Sequence, residues 1–147
     1  MRLTTQQLGF SLIEVMVALV VLSVGMIGMA ALHGQGLSAS RTAVYRTQAI
    51  SLNADLADRI RANRLGQAAY AGAAANNGCS AASCTPAQMA ANDLFVWQQR
   101  VQQMLPNGQG QVAYNGGTIP PTFTITVQWD DVSQGTASDQ VVIQAAP

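Results

Sequence analysis

The stretch Leu8-Gly9-Phe10-Ser11-Leu12-Ile13-Glu14-Val15-Met16-Val17 opens a run that stays apolar as far as Leu32 and holds a single carboxylate, Glu14. From Phe10 to Leu32 there are 23 residues. At about 1.5 Å per residue a helix of that length reaches about 34 Å, enough to cross a hydrocarbon core of about 30 Å. An acidic side chain at the centre of such a span costs roughly 2.5–3.5 kcal/mol, so an ionisable group there calls for a partner and a function. Glu14 lies four residues beyond Phe10, about 6 Å along a helix axis, which keeps it shallow in the span.

The flanks of the run narrow its meaning. Before it stands MRLTTQQLG, polar and carrying one positive charge at Arg2, as a cytoplasmic leader under the positive-inside bias would. A secretory signal peptide has a charged start too, but its apolar region is about 7–15 residues and its small-residue cleavage site follows that region. Here the small residue, Gly9, precedes it. Composition agrees with a chain that hides much of its length. Charged residues are 10% of the 147, against about 25% in a soluble domain, and seven arginines balance seven acidic residues with no lysine. A nucleic-acid partner would call for a basic excess that is lacking, so nucleic acid is not an expected partner.

The string Gly9-Phe10-Ser11-Leu12-Ile13-Glu14-Val15 resembles the processing signal of type IV pilins and of type II secretion pseudopilins. The resemblance implies that a prepilin peptidase removes Met1 to Gly9 on the cytoplasmic face and that the new amino terminus, on Phe10, is methylated. Gly9 is then the small residue the peptidase needs, and Glu14 is the family's glutamate. Physically, a free amino terminus at the end of an apolar helix is positive and poorly solvated, and a carboxylate on a neighbouring subunit can neutralise it. Much of that attraction offsets desolvation, so the pair is expected to select register between subunits more than to add stability.

Beyond Leu32 the helical signal continues, although Gly34 and Gly36 each cost about 1 kcal/mol relative to alanine and mark a place where the helix is expected to bend or loosen. From Leu37 to Arg64 the pattern is amphipathic, with Tyr45, Ala49, Leu52, Leu56 and Ile60 on one face and an Asp55–Arg59 pair at i,i+4. The expected organisation is a cleaved leader over 1–9, a membrane-spanning or filament-core half-helix over 10–36, and a periplasmic head over 37–147. Leu65 to Ser83, rich in Ala, Gly, Asn and Ser, reads as a loop. Thr85-Pro86-Ala87-Gln88 resembles a capping box, and Ala90, Leu94, Trp97, Val101 and Leu105 then trace one face of a second helix ending at Pro106-Asn107-Gly108. Period-two spacing follows at Val112 and Tyr114, at Phe123 to Trp129, and at Val141 and Ile143. The expected fold class is α+β: a pilin-like lollipop with a long N-terminal helix, a short second helix and an antiparallel sheet of three to four strands.

In a head facing an oxidising periplasm, the even pair Cys79 and Cys84 reads most simply as a disulfide. Four residues separate the two, unlike a redox Cys-x-x-Cys pair, and the one histidine, His33, is too distant for a zinc site. No cofactor and no metal are expected, since Asp130, Asp131 and Asp139 offer too few oxygen ligands for Ca²⁺. One histidine and no lysine leave no catalytic constellation, so an enzyme is not expected. Arg59, Arg61 and Arg64 form the only basic cluster, which Asp55 and Asp58 dilute to a solvated face. The segments "DLFVWQQRVQQMLPNGQGQV" (93–112) and "TFTITVQWDD" (122–131) resemble the PilV-type minor pilin, or type IV pilus modification protein. That resemblance implies a low-abundance subunit of a minor pilin complex that primes pilus assembly. Its partners would be other minor pilins, the major pilin, the prepilin peptidase and the inner-membrane assembly platform. It would sit first in the inner membrane as a single-pass protein and then in the surface pilus. The I-type minor pseudopilin of type II secretion shares the strand ending in Trp129 and is the alternative, together with an adhesion or DNA-uptake subunit.

Overall fold

The structure is a computed structural model, and it describes residues 9–81, 83–130 and 138–146. The leader before Gly9, and Asp131, lie outside the described residues. The chain divides into two compact units, Met1–Ser40 and Arg41–Pro147. Helix α1, Leu12–Ala62, contributes to both and is 51 residues long.

In the first unit α1 is exposed from Leu12 to Leu37, with Leu12 87% accessible and Phe10, just before the helix, 83% accessible. An 18-residue window of α1 reaches a mean hydropathy of 2.6, and none of that window is buried against the rest of the chain. By length and composition this is a helix able to cross a membrane. Gly34 and Gly36 do not interrupt the helix, contrary to the expected loosening. Each glycine costs about 1 kcal/mol, but ending and restarting the helix would require a fresh nucleus, penalised by a factor on the order of 10⁻³.

The second unit folds around one apolar core. Leu52, Leu56 and Ile60 of α1 are buried, and so are Ala90, Leu94, Trp97 and Val101 of α2 (Pro86–Met104), as the helical stripes require. The N-terminus of α2 is fixed by a complete capping box. Gln88 N donates to Thr85 Oγ1 at 3.3 Å, and Thr85 N donates to Gln88 Oε1 at 2.9 Å, with Pro86 following where its missing N–H is not needed. Strands β1 (Gln109–Asn115), β2 (Thr122–Asp130) and β3 (Ser138–Ala145) form an antiparallel sheet in the order β1-β2-β3. Register sets Val112 beside Ile125, and Ile125 beside Ile143. Phe123, Ile125, Val127 and Trp129 are buried while Thr124, Thr126 and Gln128 alternate with them on the more exposed face.

Two features lock helices to sheet. Trp97 Nε1 donates to the Leu52 carbonyl at 2.9 Å, so the buried indole closes its own polar account while bridging α2 to α1. Its ring lies so close to Gly110 of β1 that an added Cβ would stand 2.4 Å from the ring, and only glycine fits. Asn53, fully buried, donates from Nδ2 to the Val141 carbonyl at 3.1 Å and ties α1 to β3.

The segment after α1 differs from its reading as loop. Arg64–Ala71 is a 3₁₀ helix, and Tyr70 within it is fully buried. Gly66 stands where a side chain would collide with the Pro86 carbonyl, which lets this helix close against the start of α2. Alanine and glycine, which carry no apolar pattern, were enough to pack a turn here because the burial comes from one aromatic residue.

Candidate functional site

The N-terminal site is short. Ser11 O accepts from Glu14 N at 3.0 Å and from Val15 N at 3.3 Å, so the helix starts just after Phe10. This sets Glu14 in the first turn of α1, where the helix dipole favours a carboxylate. Phe10 and Glu14 line one shallow groove with Val15, Ala18, Leu19 and Leu22. Among the described residues, none forms an ion pair with Glu14. A methyl group on Gly9 would meet nothing within 4 Å, and its backbone is not left-handed, so folding places no demand for glycine there. The glycine is therefore to be explained by something other than packing.

The cysteines are in the second unit. Cys79 and Cys84 are joined in a disulfide. The closed loop is short, which limits its entropic stabilisation to about 2 kcal/mol. Side chains hold the surrounding segment on α2: Asn77 Nδ2 donates to the Gln88 carbonyl at 2.9 Å, and Asn63 Nδ2 to the Pro86 carbonyl at 2.8 Å.

A polar cluster that sequence reasoning missed sits beside this loop. Arg59 donates to Asp93 Oδ1 at 2.9 Å and to Asp55 Oδ2 at 3.2 Å, the latter being the expected i,i+4 pair. Tyr70 OH donates to Asp93 Oδ2 at 2.7 Å, and Arg100 reaches Asp55 at 3.2 Å. Three elements, α1, the 3₁₀ helix and α2, are thereby stitched by the buried Asp93, the more exposed Asp55 and two arginines. Arg61 pairs with Asp58 at 2.7 Å, so two of the three clustered arginines are compensated. Of the three aspartates weighed for Ca²⁺, Asp130 accepts from Asn107 Nδ2 at 2.8 Å and Asp139 pairs with Arg46 at 2.8 Å. Asp131 lies outside the described residues. Among the described residues no group of three metal-binding side chains comes together.

Burial, first, and the bond to Asp93, second, push the Tyr70 hydroxyl up from its ordinary value near 10. The folded state therefore holds the proton more tightly than the unfolded chain. That stabilisation is fully present below about pH 10 and is lost as pH rises from there through the folded value. Unfolding midpoints measured across the alkaline range should fall steeply for the wild type and more gently for Tyr70→Phe. Equal slopes would show that Tyr70 does not drive the alkaline loss.

Two family matches accompany this architecture. Residues 4–30 match the prokaryotic N-terminal methylation motif, which covers Gly9, Phe10 and Glu14. Residues 31–95 match the family described as type IV pilin Tt1218, which covers the rest of α1, the 3₁₀ helix, the disulfide loop and the start of α2. No curated protein and no solved structure was found to match the chain. A methylation motif opening a long exposed apolar helix, the match to a type IV pilin over residues 31–95 and a three-stranded antiparallel sheet together support a type IV pilin.

Proposed function

We propose that the chain is a minor pilin of the PilV type, processed after Gly9 by prepilin peptidase, methylated on Phe10, and joined through Glu14 to neighbouring subunits in a complex that primes pilus assembly. The observation that carries this reading is Glu14 itself: a carboxylate in an exposed helix that is otherwise uncharged as far as Arg41, without an ion-pair partner among the described residues. Such a charge raises the cost of membrane insertion, and within its own chain it gains only the helix-dipole interaction of the first turn. An amino terminus supplied by an adjacent subunit gives it a counter-charge, and the amine gains one in return. The protein acts as a structural subunit and not as an enzyme, anchored first in the inner membrane with its head in the periplasm and then carried into the pilus. The power for assembly comes from the membrane platform and its motor.

Glu14→Ala separates assembly from folding. The variant should be cleaved, inserted and folded as the wild type, since Ala suits lipid better and Glu14 is in the other unit from the head core. In a strain lacking the native copy, surface filaments should fall severalfold and recovery of other minor pilins with the variant should fall with them. Normal filament numbers together with normal partner recovery would remove the amine-neutralising role.

A further inference from the structure

The second unit carries three Asn-Gly dipeptides, Asn77-Gly78, Asn107-Gly108 and Asn115-Gly116. In such a pair the glycine amide nitrogen can attack the asparagine side-chain carbonyl carbon, because glycine has no Cβ to block the approach. The attack needs a freely moving amide N–H and a side-chain amide able to leave. At two of the three sites the fold holds both groups. Gly78 N donates to Asn76 Oδ1 at 3.2 Å, and Asn77 Nδ2 donates to the Gln88 carbonyl at 2.9 Å. Gly108 is buried and its N donates to Leu105 O at 3.1 Å, while Asn107 Nδ2 is held by Asp130 at 2.8 Å and its backbone sits at φ 51°.

Asn115 differs on each count. It ends β1 at the exposed turn into β2, and both Asn115 and Gly116 are exposed. No described residue accepts from Gly116 N or from Asn115 Nδ2. The carbonyl oxygen Oδ1 accepts from Gly117 N at 3.0 Å, which keeps the side chain over the turn and draws electron density from the carbon to be attacked.

We propose that Asn115 is a spontaneous modification site whose side-chain amide is converted to a carboxylate. Gly116 N gives its proton to solvent base and bonds to Asn115 Cγ. The Cγ–Nδ2 bond breaks and ammonia leaves, forming a cyclic imide. Water then opens the ring at Cγ to give aspartate, or at the backbone carbonyl to give isoaspartate. The net change is the uptake of one water and the release of one ammonia, with no change in oxidation state. The product has a local consequence, because residues 101–129 contain no charged side chain and the new carboxylate is the only charge between Arg100 and Asp130, at the opposite end of the β1–β2 hairpin from Asp130. Isoaspartate also lengthens the backbone where Asn115 pairs with Thr122, loosening the end of the ladder.

The test is peptide mapping by mass spectrometry of the full-length, detergent-solubilised protein, incubated in mildly alkaline buffer with and without denaturant. Freeing two hydrogen-bonded groups slows closure, so in the folded protein Asn115 should convert roughly tenfold or more faster than Asn77 and Asn107. In denaturant, where the three dipeptides are equally free, the three rates should come within a small factor of one another. A folded protein in which Asn77 or Asn107 keeps pace with Asn115 overturns the proposal. So does an Asn115 lead that survives denaturation, because the fold would then not be its cause.

Discussion

Trp97→Ala should destabilise the head by about 3–5 kcal/mol, the range for removing a large buried aromatic side chain. The residue is 1% exposed, packs against Gly110 of β1 and hydrogen-bonds the backbone of α1, so its loss opens a cavity where two helices and the sheet meet. The Leu52 carbonyl is left within that cavity, with only its helical partner. Small domains are stable by about 5–15 kcal/mol, so the change removes a large share of the total. Trp129, also buried, remains as the fluorescent reporter, and denaturant titration of the detergent-solubilised chain reads the shift in midpoint. Trp97→Phe keeps most of the volume and loses the indole donor, and it should cost about 1–2 kcal/mol. A loss below about 1 kcal/mol in Trp97→Ala would mean that the surrounding core collapses into the space and that Trp97 is not its keystone.

Gly9→Leu should have a larger effect of a different kind, on processing and not on stability. A side chain at residue 9 meets open space and the backbone there is not left-handed, so the variant should fold and insert as before. A bulky residue on the leader side of the Gly9–Phe10 bond should crowd the peptidase and leave the precursor uncut. Immunoblots of membranes should then show a single, slower band in place of the mature one, and filament assembly should fail for want of a free amine on Phe10. Mature protein at wild-type levels from Gly9→Leu would detach the glycine from processing and reopen the reason for its presence.

Much of the head was legible because burial follows period. The α2 stripe from Ala90 to Leu105 and the β2 alternation from Phe123 to Trp129 are buried as a 3.6 or a 2.0 repeat demands. The capping box was legible because its four residues are contiguous. What stayed hidden depends on contacts between distant residues. Tyr70 is the lone aromatic in an alanine- and glycine-rich stretch, and nothing local shows that Asp93, 23 positions on, will accept its hydroxyl. Asp93 itself reads as an ordinary acidic residue of a helix until Arg59 and Tyr70 converge on it. Asn53 did leave a trace. It stands one turn after Ala49 and one turn before Ala57, on the buried face of α1, where a polar side chain implies a hydrogen-bond partner from another element. The N-terminal motif is readable because its residues are neighbours in sequence, and the roles proposed for Gly9, Phe10 and Glu14 rest on that motif.

The central claim is that the chain is cut after Gly9 and enters a filament through the terminus so created. The most direct measurement is the intact mass and N-terminal peptide of the protein extracted from membranes of cells with an active prepilin peptidase. The account predicts a chain that begins at Phe10 and carries one added methyl group on its amine. A chain that still begins at Met1 in such cells would contradict it.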